Sequence, residues 1–509
     1  MLLRKNDKEG DELLGKKHEK KIAELEKQVE ALFKINSELR EQLEKEAVRR
    51  VELVKENQIL RKDLAKANQT IENLKTRIKK NSSNSSKPSS TDSIYTKEVH
   101  NFREKTSRKV GGQKGHKGHT LRMSKEPTKI INKKIEQCEC GGIVENGDTY
   151  KAKQLMDIRI EVDITEERVY DGKCNNCGKY HTGEFSEKLK NPVQYGENIK
   201  SLTTLLVDEG YIALNRCAKL IKDITNNKIT VTEGTIINFR KELANNSSEI
   251  IEAIRQNLIE AELLHVDDTG VRVTGGLGWL HTFTTNKFTL YQIYKGRKPD
   301  TIDDMEILSY FVGILIHDHF KGYYSYKTMT HAECNVHILR YLKLVIECFE
   351  RKGAERLLDF LAIINDEKKI AIQYGFESFS DNRIEEIEKQ YIQILDDWQE
   401  EFSEYIKGKS LTKGLTDERN LFSRLLEYKD EHLLFIKDFR VPFDNNMAER
   451  SLRMIKTKLK VSGCFRGADK GSNFATIRSV IETAKKHKMN LHDTLVKIFN
   501  KEKIEFVEV

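Results

Sequence analysis

Leu263–Val273 reads LLHVDDTGVRV, Gly278–Asn286 reads GWLHTFTTN, Lys287–Lys295 reads KFTLYQIYK and Phe311–Asp318 reads FVGILIHD. The first three runs carry β-branched and aromatic residues with turn residues between them, which predicts three consecutive strands. A helical patch follows. The fourth run is short and strongly apolar, as a buried strand would be. Residues from about 331 to 437 read as nearly all helix, and PFDNNMAERSLRMIKTKLK, from Pro442, opens a further helix. Asp267 ends the first strand candidate, Asp318 ends the fourth, and Glu449 lies early in the late helix.

Three strands, a helix, a strand and a distant helix follow one another as in an α/β ribonuclease-H-like core. In such a core two carboxylates at neighbouring strand ends converge with one from a helix. Phosphodiester chemistry needs such a cluster, because carboxylate oxygens suit Mg²⁺ or Mn²⁺ while leaving room for water and phosphate. One isolated Asp or Glu is ordinarily a surface charge, so the expectation rests on the trio in its order. Side chains alternate along a strand, so Asp267 and Asp268 face opposite ways and one of them joins Asp318. His265 shares a face with Asp267 and reads first as a satisfied core histidine. Glu449, Arg453, Lys456 and Lys460 share a helix face and predict a carboxylate flanked by phosphate-gripping cations. Asn445 and Asn446 are candidate caps of that helix.

Outward from the core, the chain divides further. Residues 1–80 carry a heptad pattern through Ile22, Leu25, Val29, Leu32, Leu39, Leu60, Leu64, Ile71 and Ile78, which predicts a coiled coil and self-association. Asn36 and Asn57 fall at a positions; Glu46 and Arg50 interrupt the seam. Residues 81–125 read as a flexible linker. It holds RKVGGQKGHKGH, whose Lys114 and Lys117 are candidate phosphate contacts. Residues 126–190 predict a small β unit, with strands in runs such as QLMDIRIEVDI. Cys138, Cys140, Cys174 and Cys177 there are candidate ligands of a structural Zn²⁺, although Cys138-Glu-Cys140 is one residue short of the usual knuckle.

Residues 191–250 predict a helix-turn-helix-like DNA-binding region: LNRCAKLIKDI, a polar turn, then VTEGTIINFRKEL, with Thr232 as N-cap and Thr235 and Arg240 as DNA-contact candidates. The candidate catalytic core spans 258–470 and includes the long helical stretch at about 331–440, and 471–509 is a C-terminal helical segment. His331, Glu333, Cys334 and His337 form a second cluster, read ahead of a zinc role as structural or DNA-facing. Cys217, Cys348 and Cys464 read as small core residues.

The 509 residues include 88 Lys and Arg against 80 Asp and Glu, a net charge of +8 that permits a polyanionic partner. No apolar run is long enough to span a bilayer, and the N-terminus has no signal-peptide core. A soluble cytoplasmic protein, nucleoid-associated when acting, is the expectation.

NSSNSSKPSS, GGQKGHKGH, VDDTG, DHFKGYYSY, DNNMAERSLR and SGCFRG resemble, in order, blocks of the transposases of the insertion sequence 66 group. The resemblance implies a DDE-type transposase with Asp267, Asp318 and Glu449 as catalytic metal ligands. It implies a Cys-x-x-His block at Cys334 and His337 with Arg340 nearby, His337 and Arg340 being DNA-facing. A zinc segment, a helix-turn-helix and the helical insertion follow from it too. Where the family usually reads Asp-Glu-Thr, this chain has Asp267-Asp268-Thr269. The expected partners are DNA at element ends and target, further copies of the chain, and accessory proteins of the same element. The alternative function is a catalytically inactive DNA-binding regulator derived from such an element.

Overall fold

The structure, a computed structural model, describes residues 6–81, 84–85 and 121–506. Lys114 and Lys117 lie outside the described residues. α1 (Asn6–Lys79) is a single helix of 74 residues. Its heptad leucines stay in solvent, with Leu32 64% and Leu60 59% exposed. Near its C-terminal end the helix docks onto the chain's own helices. Asn73 accepts from the Lys413 backbone N–H at 2.9 Å, and the Lys79 ammonium donates to the Glu347 carbonyl at 2.6 Å.

Between 121 and 190 the only strands among the described residues are β1 (Asp171–Lys173) and β2 (Tyr180–Thr182), an antiparallel pair. The QLMDIRIEVDI run forms no ladder, and Leu155 and Ile158 are 92% and 87% exposed. This corrects the strand expectation. Alternation makes a strand only where a neighbour takes the backbone groups and a second layer takes the apolar face.

Four helices follow: α2 (Glu197–Asp208), α3 (Leu214–Ile224), α4 (Glu233–Asn246) and α5 (Ser248–Ile259). Thr232 caps α4 by accepting from the Thr235 N–H at 3.1 Å, and the two hydroxyls bond to each other at 2.8 Å. Arg240 corrects its expected DNA role. It is buried, and its guanidinium donates twice to Asp208, at 2.6 and 2.8 Å. Asp208 is fully buried and requires that partner, so Arg240 holds α4 to α2.

The central sheet comprises β3 (Leu263–Val273), β4 (Gly276–Thr284) and β5 (Thr289–Tyr294), then β6 (Ile314–His317) after α6 (Pro299–Asp303), and β7 (Thr330–Glu333). The order is β5-β4-β3-β6-β7. The first three strands are antiparallel neighbours, while β6 and β7 run parallel to β3. The edge strand β7 falls where only helix was expected. Its sequence, THAE, is too short and too polar to register as a strand pattern.

The helices α7 (Asn335–Phe349), α8 (Lys352–Gln373), α9 (Asp381–Ile406), α10 (Lys413–Glu427) and α11 (Lys429–Lys437) form the long helical stretch. They precede α12 (Asn446–Ser462), α13 (Ala468–Lys486) and α14 (Leu491–Phe499). Period-2 geometry sends successive side chains of β6 into different cores. Leu315 packs with α4, α5, α13 and α14, whereas Ile316 packs with α7 to α11 around Trp398. A third cluster joins Leu452 and Ile455 of α12 to Val271, Leu280 and Tyr291, fixing α12 against the far end of β3 and β4. The SGCFRG segment adds to that end, where Thr274 donates to the Phe465 carbonyl at 2.7 Å. Among the described residues no helix is long and apolar enough to cross a membrane.

Candidate active site

The β3–β6 register aligns His265 with Ile316, so two residues further along Asp267 stands beside Asp318 where β6 ends. The Asp267 carboxylate accepts from the Asp268 N–H at 2.8 Å, and that of Asp318 from the Phe320 N–H at 3.1 Å. Burial raises the Asp267 carboxyl well above its ordinary value, and the charges of Asp318, Asp268 and Glu449 push it the same way. Burial also raises Asp318. These two groups resist ionising together, the condition that a bound cation relieves.

Asp268 faces away from this pair, as strand alternation requires. Its buried carboxylate accepts from Arg297 at 2.9 Å. Burial pushes it up to about 6 despite the nearby guanidinium. Arg297 is itself held between two rings, its guanidinium carbon 4.4 Å from the Trp279 centroid and 4.3 Å from that of Phe320. Sequence reasoning missed Arg297, which sits in a short loop between Lys295 and Lys298 with no pattern to single it out.

Glu449 approaches from α12. The start of that helix is tied to β3 through Asn445, whose amide donates to the Val266 carbonyl at 2.8 Å and whose oxygen lies 2.9 Å from His265 Nδ1. Asn445 therefore sits at the cap position without a capping bond, its side chain spent on β3. The same contact satisfies His265 as a core residue. Glu449 lies 3.7 Å from Arg340 and 3.9 Å from His337 Nδ1. Burial lowers His337 to about 4, so the imidazole is neutral near pH 7. Among the described residues, the close set of three metal-competent side chains is Cys334, His337 and Glu449, with ligand atoms within 4.8 Å of one another. The oxygens of Asp267, Asp318 and Glu449 are spread wider than that. Arg453, Lys456 and Lys460 continue along α12 as an exposed basic row.

The four cysteines of the expected zinc unit do not come together as one such set. Cys138 and Cys140 share one turn, Cys174 and Cys177 another, each closed by backbone bonds such as Cys174 N–H to the Lys179 carbonyl at 2.8 Å.

Behind Asp318 lies a network that the sequence did not reveal. Glu333, at the end of β7, is fully buried. It accepts from His319, from Tyr324 at 2.5 Å, from Arg424 at 3.1 Å and from His432 at 2.9 Å. Burial alone would raise its carboxyl. The hydrogen bonds from His319 and His432 and the charge of Arg424 outweigh burial and hold it far below the usual carboxylate range. The loop carrying His319 and Tyr324 is thereby locked to α10 and α11.

A sequence profile described as the Transposase IS66 family matches residues 193–473, more than half of the chain. The chain belongs to the IS66 transposase family. The matched span of this IS66 transposase runs from just before α2 to the first turns of α13 and includes all three carboxylates. Residues 14–122 match a family of unknown function, DUF6444. No curated protein matches the chain. Among solved structures, the crystal structure of the Mos1 strand transfer complex matches at 10% identity with a TM-score of 0.11, over 29% of this chain and 60% of that one.

Proposed function

We propose that this IS66 transposase is a DDE-type enzyme with a ribonuclease-H-like core that cuts element ends and joins them to target DNA through Asp267, Asp318 and Glu449. The observation that carries the reading is the β3–β6 register, which sets Asp267 beside Asp318 with Glu449 close enough to raise the Asp267 carboxyl. The donor set fits hard divalent cations: three partly buried carboxylates, of which Asp267 and Asp318 are pushed towards protonation while no cation balances them. Mg²⁺ or Mn²⁺ held there would activate the attacking oxygen and stabilise the leaving one.

The remaining work falls to the protein's own groups. Arg297 engages Asp268 and so keeps that carboxylate out of the set. Asn445 fixes the start of α12, and with it Glu449, to β3. Arg453, Lys456 and Lys460 grip phosphates flanking the scissile bond. Arg340 and His337 face the DNA beside Glu449. In the first reaction water attacks the phosphorus at the element end and the 3′ oxygen leaves, taking a proton. In the second that 3′-hydroxyl attacks a target phosphodiester and displaces its 3′ oxygen. Positioning and charge neutralisation supply most of such catalysis.

The α3–α4 pair, with Thr235 in the first turn of α4, reads terminal repeats, and Lys114 and Lys117 contact the DNA backbone. The exposed seam of α1 pairs with that of another copy, which supports assembly as an oligomer. The four cysteines bind a structural Zn²⁺ once the two turns meet.

The test is cleavage and joining of duplexes carrying the flanking element ends, with Mg²⁺. Asp267→Ala, Asp318→Ala and Glu449→Ala abolish cleavage and retain end binding. Full strand transfer by any of the three overturns its assigned role.

A further inference from the structure

Glu449 has a second set of neighbours besides Asp267 and Asp318. Cys334 is the N-cap residue of α7. Its sulfur is buried and accepts from the Asn445 N–H at 3.2 Å. His337 stands one turn further along α7. Its Nδ1 is a buried atom that no protein group bonds, and so is Oε1 of Glu449, 3.9 Å away. Buried polar atoms left unpaired are costly, and a bound cation would satisfy both. One ligand atom from each of Cys334, His337 and Glu449 lies within 4.8 Å of the other two.

One sulfur, one imidazole nitrogen and one carboxylate oxygen make a donor set that Mg²⁺ and Ca²⁺ do not take, because a thiolate is too soft for them. Zn²⁺ takes such a set, and three protein ligands leave its fourth position open. Burial pushes the free thiol up to about 12, so Cys334 ionises when a metal binds and not before. With Nδ1 as ligand, His337 carries its proton on Nε2. That breaks the present 3.4 Å contact with Arg340.

We propose that Cys334, His337 and Glu449 form a Zn²⁺-selective site that withdraws Glu449 from Asp267 and Asp318, so that zinc holds the enzyme in an inactive state. The inhibitory half of this proposal rests on the catalytic reading of Glu449, whereas the binding half does not.

Cobalt titration of the full-length, metal-free chain tests the binding half, with Cys138, Cys140, Cys174 and Cys177 changed to serine. Those four lie in a segment with no packed core, so the changes spare the fold. One Co²⁺ per chain with thiolate-to-cobalt absorption is expected. Cys334→Ser should remove the absorption, and Glu449→Gln should weaken Co²⁺ binding at least about tenfold. Absence of thiolate absorption, or its persistence in Cys334→Ser, overturns the site. Should Cys334→Ser not fold, Glu449→Gln decides, and unchanged affinity overturns the site. For the inhibitory half, Zn²⁺ is titrated into strand transfer at fixed Mg²⁺. The midpoint should rise at least about tenfold in Cys334→Ser, and equal midpoints overturn the switch. A chain that binds Co²⁺ as expected while Glu449→Gln keeps full strand transfer refutes the catalytic reading of Glu449 and leaves the metal site standing.

Discussion

Glu333→Gln probes how the helical stretch supports the strands that carry Asp267 and Asp318. The Glu333 carboxylate is fully buried and paired with Arg424, whose side chain is 10% exposed. Substitution leaves the guanidinium buried opposite a neutral amide, and removing one partner of a buried pair costs about 3–5 kcal/mol. The amide oxygen still accepts one bond, which places the expected loss near the lower figure. The pH dependence has a definite sign. Glu333 is held far below its ordinary value in the fold, so its contribution is fully present above the unfolded value of about 4.3 and is lost as pH falls below it. The parent should lose about 1.4 kcal/mol more than the variant for each pH unit below that point. Urea unfolding followed by fluorescence of Trp398, fully buried among α7 to α11, measures both quantities. A loss under about 1 kcal/mol at pH 7, together with parallel acid limbs, would refute the network's role.

Three further outcomes follow from the same geometry. Arg240→Met strands the buried Asp208 and should cost about 3–5 kcal/mol in thermal or urea unfolding. It should leave the salt slope of end binding unchanged, whereas Lys456→Ala should lower that slope by about 1. Asp267→Asn removes a carboxyl whose folded value is raised. Such a group weakens the fold as pH climbs through the ordinary aspartate range, so in chelator at pH 7 the variant should melt higher than the parent, and added Mg²⁺ should stabilise only the parent. Gly353→Ala would set a Cβ 2.3 Å from that of Trp398, where α8 crosses α9, and overpacking of this kind should lower stability by about 1–3 kcal/mol.

Much of the central sheet was legible because alternation and apolar runs report directly on which faces are buried. The strands that carry Asp267 and lead to Asp318, the late helix of Glu449 and the Thr232 cap all follow from local pattern, although β3 does not end at Asp267 as expected but runs on to Val273. Arg240 shows the limit. A cation on a candidate recognition helix looks DNA-facing until Asp208, 32 residues earlier, is found beneath it. The same holds for Glu333, whose partners Arg424 and His432 lie 91 and 99 residues away. The convergence of Cys334 and His337 on Glu449 depends on how α7 and α12 pack, which no local spacing encodes. β7 escaped notice because four polar-leaning residues carry no period. The heptads of α1 announce an apolar seam without identifying what covers it.

Anomalous diffraction from crystals of the chain with an element-end duplex, soaked in Mn²⁺, addresses the shared carboxylate site most directly. The account predicts manganese peaks bounded by the oxygens of Asp267, Asp318 and Glu449, beside the phosphate to be cut. Manganese bound elsewhere, with those three side chains contacting no ion while DNA is engaged, would contradict it.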